Sequence, residues 1–456
     1  MNLDTEGNKT SIQRPLERKF ERVVTPFQAF VADQTTSSIA LIVCTAVALA
    51  IANSPLAHSY EALVETPAGA VLGGMSFTMS LRDWVNEGLM TLFFFLLGLE
   101  IKRELLVGEL KALQRSIPVI AAALGGMLAP ALIYFAFNAG GDYAHGWGIP
   151  MATDTAFAVG ILALFGRRIP PAAVTFLTAL AIIDDLGAIL VIALFYSDTV
   201  SASHLAICAA LLLALVQCNL LGIRNPAIYF LGGVLVWAAM LGSGIHPTVA
   251  GVLVAATVPA RPKRAPGWFL RRAQNLVNRF EAIENRKQQS QPMLSQEEQH
   301  VIAEDVRDAA EKATTPLRRW ERALEHPVAL FVLPVFALTN AGVPVSLDSA
   351  VAMWDNTLVL GIVLGLVVGK AIGIPVMTWM VTRLHLGELP PDVRMTHIVG
   401  IGLLGGMGFT MSIFIARLGF EHGSDAMVAA KTGILLASLV AGLAGYLWLR
   451  MRGEGR

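Results

Sequence analysis

Charge is scarce in this chain: 15% of its 456 residues are Asp, Glu, Lys or Arg, against 55% hydrophobic. A soluble domain carries about 25% charged residues, so a large water-facing surface is excluded, and a mean hydropathy of +0.60 points to a membrane as solvent. Cysteine is rarer still. Cys44, Cys208 and Cys218 all sit in apolar stretches without metal-ligand spacing, which excludes a disulfide framework and leaves them as small packing residues. Net charge is also absent, because 34 basic residues balance 34 acidic ones, so nothing in the balance draws nucleic acid or an acidic ligand. Residues 1–35 are polar and basic and lack an apolar core. That argues against a cleaved signal peptide and predicts that the first apolar span is itself the insertion signal.

What is present is a succession of apolar stretches. A helix needs roughly 20 such residues to span the hydrocarbon core. Candidates lie near 36–53, 86–101, 117–138, 150–166, 172–196, 203–222, 226–243, 247–260, 327–345, 357–381, 396–416 and 427–449. The expectation is an all-α polytopic membrane protein of about twelve transmembrane helices. Of the 34 basic residues, all but Arg82, Lys370, Arg417 and Lys431 fall in one set of alternate connecting segments. Basic residues collect in cytoplasmic loops, so both termini are expected in the cytoplasm. The division is then a cytoplasmic N-terminal segment (1–35), helices one to eight (36–260), a polar cytoplasmic loop (261–326) and helices nine to twelve (327–450).

In the polar loop, Phe269, Leu270, Leu276, Val277, Phe280 and Ile283 recur at helical spacing against Arg271, Arg272, Arg279 and Arg286. The pattern suits either a helix lying on an anionic membrane surface or a solvated linker. Ser295 and Glu298 have capping-box spacing ahead of a second helix, and Thr315-Pro316 marks a third that runs towards His326. Residues 60–81, with Gly73 and Gly74 near the middle, predict a small extracytoplasmic β-hairpin.

Ionisable residues inside the spans stand out, because each costs at least ~2.5–3.5 kcal/mol at mid-bilayer and is a functional candidate by default. Four qualify: Asp154, the adjacent Asp184 and Asp185, and Lys370. Neighbours on a helix point about 100° apart, so Asp184 and Asp185 cannot face one partner in the same way. The pattern suggests that one carboxylate pairs with Lys370 and the other faces water, where a proton or an alkali cation neutralises it. Carboxylate, threonine hydroxyl and carbonyl oxygens suit a hard cation. Mutually neutralised packing charges are the bland alternative. Breaks are expected after Pro150, at Thr153-Asp154, and along Gly400, Gly402, Gly405, Gly406 and Gly408 before Thr410. Paired interrupted helices are the best sequence pointer to a transporter site, with Asp154 placed to balance helix N-termini and Lys370 the C-termini. Close helix packing is the commoner reason for such glycines.

Four stretches, Met-Ala-Thr-Asp-Thr-Ala-Phe-Ala (151–158), Leu-Ala-Ile-Ile-Asp-Asp-Leu-Gly-Ala-Ile (180–189), Gly-Leu-Glu-Ile-Lys-Arg-Glu-Leu (98–105) and Gly-Met-Gly-Phe-Thr-Met-Ser-Ile-Phe-Ile-Ala (406–416), closely resemble the NhaA family of Na+/H+ antiporters. The resemblance covers about residues 30–450 except 261–320. It implies inverted repeats built on helices three to five and ten to twelve, two crossed discontinuous helices (about 150–166 and 396–416), and electrogenic export of Na+ and Li+ in exchange for H+. That exchange would serve pH and sodium homeostasis at a bacterial cytoplasmic membrane, with no cofactor. It further implies that Asp185 is the principal ion and proton carboxylate, that Asp184 is its partner in contact with Lys370, and that Thr153 and Asp154 belong to the broken-helix assembly. The 60–81 hairpin would join two protomers. Shut-down at acid pH is implied to involve Glu100, Lys102, Arg103 and Glu104, with His326 a further candidate. The chain departs from the family where Arg322 and Ala323 replace a Glu-His pair, where Glu87 replaces an aspartate, and in the length of the polar loop. A Na+-coupled solute symporter of similar fold would need a polar pocket that no Asn, Gln or aromatic cluster near the aspartates supplies. An intramembrane aspartyl protease needs its two aspartates on different helices sharing one water.

Overall fold

The computed structural model describes residues 34–72, 75–108, 113–197, 200–284, 297–344 and 355–452. These are mostly helical. The chain begins with α1 (Gln34–Ala52) and α2 (Ala57–Val64), bent by 117° from each other, so the first residues of the predicted hairpin segment are helical. Strands β1 (Pro67–Leu72) and β2 (Met75–Ser80) follow as an antiparallel pair running from Pro67 opposite Ser80 to Leu72 opposite Met75. The expected hairpin is therefore present, while Gly73 and Gly74 lie outside the described residues. A π-helical turn (Trp84–Leu89) leads into α3 (Met90–Val107).

The next elements are α4 (Leu113–Asn138), a 3-10 helix (Ala144–Met151), α5 (Thr155–Ala163), α6 (Pro171–Phe195), α7 (Ala202–Leu220), α8 (Pro226–Leu241) and α9 (Val249–Thr257). The polar loop forms α10 (Pro266–Glu284), α11 (Glu297–Ala313) and α12 (Pro316–Pro327). The last continues through a π-helical turn (Val328–Val332) into α13 (Leu333–Asn340), so Pro316–Asn340 is one helix. Then come α14 (Thr357–Leu364), joined by a π-helical stretch (Gly365–Gly369) to α15 (Lys370–Arg383), α16 (Met395–Gly405), α17 (Phe409–Gly419) and α18 (Asp425–Arg452).

Among the described residues six helices are long and apolar enough to cross a membrane, and eight if each of two bent pairs, α1–α2 and α16–α17, counts as one. Four predicted spans remain: α3 has 18 residues but carries Glu100, Lys102, Arg103 and Glu104, α5 and α9 have nine residues each, and α8 has 16. The surface is as apolar as a lipid solvent requires, with Leu132, Leu194, Leu220 and Leu447 more than half exposed.

In the polar loop, α10 packs against α11. Leu276 and Ile302 are fully buried between them, and Arg272 bridges Asp305 at 3.0 Å. Of the apolar face that suits a membrane surface, Leu276 is thus covered by protein and Phe269, Phe280 and Ile283 are half-buried, while Leu270 and Val277 stay exposed. Thr315 caps α12 by accepting from Arg318 N, as its spacing predicts, and Ser295 lies outside the described residues.

The tightest helix crossing is α4 on α15. A Cβ added at Gly373 would stand 2.8 Å from the carbonyl carbon of Gly125 and 2.8 Å from Ala129 Cβ. Backbone cannot yield as a flexible side chain does, so Gly373→Ala is expected to cost about 1–3 kcal/mol and to lower the melting temperature in detergent; an unchanged transition would contradict this packing.

The hairpin end of the molecule, opposite α10–α12, holds a charged cluster. Arg82 is 4% exposed and holds Glu61 at 3.0 Å and Glu65 at 2.8 Å while donating to His422 Nε2. Burial and the Arg82 charge push His422 below its ordinary 6.5, against the opposite pull of Glu65. Burial alone would raise the Glu61 carboxyl, but the hydrogen bond and charge of Arg82 outweigh it and leave the group below its ordinary 4.5. In both cases the unfolded chain takes up its proton first, so both groups stabilise the fold at neutral pH. The His422 contribution is lost as pH falls below 6.5 and the Glu61 contribution below 4.5. Thermal stability should therefore fall between about pH 7 and pH 5, and His422→Gln should flatten that fall; an equal slope in parent and variant would remove His422 as its source.

Candidate functional site

The two predicted breaks meet. Residues 152–154 interrupt the stretch between the 3-10 helix and α5, and residues 406–408 interrupt α16–α17, which bend by 45°. Asp154 N donates to the Met407 carbonyl at 2.6 Å, tying one break to the other. The Asp154 carboxylate caps α5 by accepting from Phe157 N at 3.3 Å. It also takes the first turn of α17 through Thr410 N at 3.0 Å and Thr410 Oγ1 at 2.6 Å. One negative charge thus answers two helix N-termini whose exposed N–H groups carry partial positive charge. Asp154 is 2% exposed and Thr410 3%.

Lys370 opens α15 and is fully buried with Asp184. Its Nζ lies 2.7 Å from Asp184 Oδ2 and 2.9 Å from Thr153 Oγ1. Thr153 Oγ1 is 2.8 Å from the same carboxylate oxygen and 3.0 Å from the Gly405 carbonyl, so its single proton serves one of them at a time. Gly126 and Gly405 are required by Ile374 of α15, one turn on from Lys370: a Cβ at either would come within 2.9 or 3.1 Å of that side chain, but would meet Lys370 Cδ only at ordinary contact distance.

Asp185, the next residue on α6, points elsewhere. It is 3% exposed, and its Oδ1 has no hydrogen-bond partner among the described residues. It lines a cavity of about 310 Å³ that also touches Thr153, Asp154 and Thr410 at its deep end. The other end of the cavity is bounded by Glu100, Arg103, Glu321, Glu325 and His326, the last two exposed, at the α12 end of the molecule. Two neighbouring carboxylates thus have different surroundings, one neutralised by a fixed ammonium and one lining a cavity with room for several waters beside threonine hydroxyls and a second carboxylate. An unpaired buried carboxylate with oxygen neighbours is a fit for a hard monovalent cation or a proton.

Over residues 28–449 the chain matches the family model described as Na+/H+ antiporter 1. The chain belongs to this family of Na+/H+ antiporters. The antiporter is 48% identical over 435 residues to Na+/H+ antiporter NhaA 1 of Shewanella denitrificans, covering 95% of this chain and 96% of that one. It is 45% identical over 439 residues to NhaA 1 of Saccharophagus degradans, covering 96% and 94%, and 44% identical over 436 residues to NhaA of Sulfurimonas denitrificans, covering 96% and 97%. The protein is a multi-pass membrane protein and a secondary transporter that exchanges sodium ions for protons, not an enzyme. A solute symporter is not favoured.

The structure brings Thr153, Asp154, Asp184, Asp185 and Lys370 of the antiporter together and sets Glu100, Arg103, Glu104 and His326 apart at the other end of its cavity or beside it. Arg103 there bridges Glu104 and, at 2.7 Å, Glu321. Sequence reasoning did not single out Glu321, because it is one of many charges in a polar segment. It also missed Ser38 and Thr178, which line the cavity from α1 and α6 as unremarkable hydroxyls at helical positions. Lys431, expected in a loop, lies in the second turn of α18 and is 7% exposed.

Proposed function

We propose that Asp185 is the carboxylate on which a proton and an alkali cation, Na+ or Li+, compete, and that the exchange is electrogenic export of the cation driven by proton entry. The observation that carries this reading is the asymmetry of the aspartate pair: Asp184 is held by Lys370 at 2.7 Å, while Asp185 lines the cavity and its buried Oδ1 has no partner among the described residues. A bare carboxylate is costly there, so Asp185 holds either H+ or a cation that has shed water for oxygen ligands from Thr153, Asp154 or Thr410. Each ligand expels the other, and alternating access turns that exclusion into antiport. With more protons entering than cations leaving, each net charge moved draws about 2.3 kcal/mol per 100 mV.

The frame of this reading is twelve crossings of a bacterial cytoplasmic membrane with both termini in the cytoplasm. Two inverted repeats are supported by the same order appearing twice: a long helix, a broken one and a long one, in α4 to α6 and again in α14 to α18. The cavity mouth then faces the cytoplasm, where Glu100, Arg103, Glu104 and His326 respond to pH. A homodimer through the hairpin is supported by its two strand edges, against which no third strand pairs among the described residues, and by its anchoring, in which Trp84 Nε1 donates to the Ala68 carbonyl at 2.8 Å.

The test is proton flux in sealed vesicles after addition of Na+, Li+ or K+, with the potential clamped or free. Flux for Na+ and Li+ that accelerates when the potential favours inward positive charge is expected. Flux indifferent to potential would remove electrogenicity, and equal flux with K+ would remove the cation assignment.

A further inference from the structure

The polar loop divides its charge between its two packed helices. From Arg261 to Phe280 the chain carries six basic residues and no acidic one, whereas α11 carries six acidic residues against Arg307 and Lys312. One face of α10 packs on α11 through Leu276, and along its flank Leu270 and Val277, two turns apart, are exposed. Arg272 is matched by Asp305 of α11 at 3.0 Å, while Arg261, Lys263, Arg264 and Arg271 are exposed. Just before the helix, the Arg264 guanidinium stands 5.6 Å from the centre of the half-buried Trp268 ring.

The place of α10 in the chain decides what can meet this flank. α9 ends at Thr257 and α10 begins at Pro266, and the link between them is fastened. Leu317 N donates to the Pro259 carbonyl at 3.2 Å, and Lys263 N and Arg264 N both donate to the Lys312 carbonyl at 2.9 Å. The basic segment is therefore held beside the end of α9 and cannot swing away. Lys and Arg clustered next to the cytoplasmic end of a membrane helix attract anionic headgroups. Apolar side chains among them enter the boundary between headgroups and acyl chains, and long arginine stems follow that boundary while their charges stay in the headgroup layer. A second copy of the chain would answer the basic charge only with the acidic side of α11, which would set carboxylates against Leu270 and Val277. Anionic lipid satisfies the charge and the apolar stripe together.

We propose that α10 docks on anionic phospholipid of the cytoplasmic leaflet, with Leu270 and Val277 at the headgroup boundary and Lys263, Arg264 and Arg271 on the lipid phosphates. The acidic α11 then lies on the side away from the membrane. This inference rests on the proposed topology, which ends α9 at the cytoplasmic surface and places the polar loop there.

The test uses the full chain with Cys44, Cys208 and Cys218 replaced by serine and Leu270→Cys introduced to carry an environment-sensitive fluorophore. The protein is reconstituted in vesicles of equimolar phosphatidylglycerol and phosphatidylcholine, with one lipid or the other brominated as the quencher. Quenching by brominated phosphatidylglycerol is expected to exceed that by brominated phosphatidylcholine roughly fivefold or more. The same fluorophore at Val301→Cys, exposed on α11, should respond to neither lipid. Arg264→Gln combined with Arg271→Gln should bring the two lipids level. Salt at about 1 M, where charges are screened within about 3 Å, should do the same without any change to the arginines. Equal quenching by both lipids at low salt would overturn selection by charge, and quenching by neither would overturn the docking. Emission that rises with the ratio of protein to lipid, without quenching, would give the face to a second copy and also overturn it. Both leaflets contain both lipids, so these outcomes hold whichever side the loop occupies. Bleaching by a membrane-impermeant reductant added outside sealed vesicles of known orientation tests the topology separately.

Discussion

Asp185→Asn is expected to lower Na+-dependent proton flux in vesicles by roughly a hundredfold or more, with the folded protein recovered in normal yield. Asparagine matches the shape of the aspartate but neither takes up a proton nor carries the charge that draws a cation out of water. Folding should tolerate the change because Asp185 Oδ1 supports no hydrogen bond that the amide would break. Asp185→Glu keeps charge and proton but moves both by a methylene in a buried site, so partial activity is expected from it. Retention of parental flux by the asparagine variant would remove Asp185 from its role.

Lys370→Met should be the most destabilising single change at the site. It leaves Asp184 fully buried with Thr153 as its remaining side-chain partner. Removing one member of a buried ion pair costs about 3–5 kcal/mol, because the other charge stays without compensation. The melting temperature in detergent should therefore drop sharply. The double variant Lys370→Met with Asp184→Asn should regain most of the loss, since replacing both charges leaves no bare ion behind. Thermal unfolding of the two single variants and the double variant decides this. A double variant as unstable as Lys370→Met would show that the lysine acts through its packing and not through its charge.

The residues of the candidate site stand out in the sequence because the membrane makes them do so. Asp154, Asp184, Asp185 and Lys370 interrupt runs in which any charge is costly, and their types alone suggested one neutralised carboxylate and one exposed to a cavity. The breaks at 152–154 and 406–408 were equally visible, since Pro150 and the glycines around Gly405 weaken helix continuity. Polar segments give no such contrast. Glu321 was indistinguishable from its neighbours until α12 turned it towards Arg103 at 2.7 Å, and the packing of α10 on α11 depends on a pairing that the amphipathic pattern of either helix leaves open. Arg82 and Lys431 illustrate the same limit near helix ends. Whether a charge at a terminus faces water or is buried depends on which other element comes to cover it. The expected transmembrane helices were also harder to count than the charges were to find, because α5, α8 and α9 are shorter than a full span and length is the main signal of a crossing.

The account depends on exclusion of H+ by an alkali cation at one carboxylate. Calorimetric titration of the detergent-solubilised protein with Na+, repeated in buffers of different ionisation heat, measures protons released as the cation binds. The account predicts proton release with Na+ binding in the parent and neither signal in Asp185→Asn. Na+ binding that releases no proton at a pH where the protein is active would contradict it.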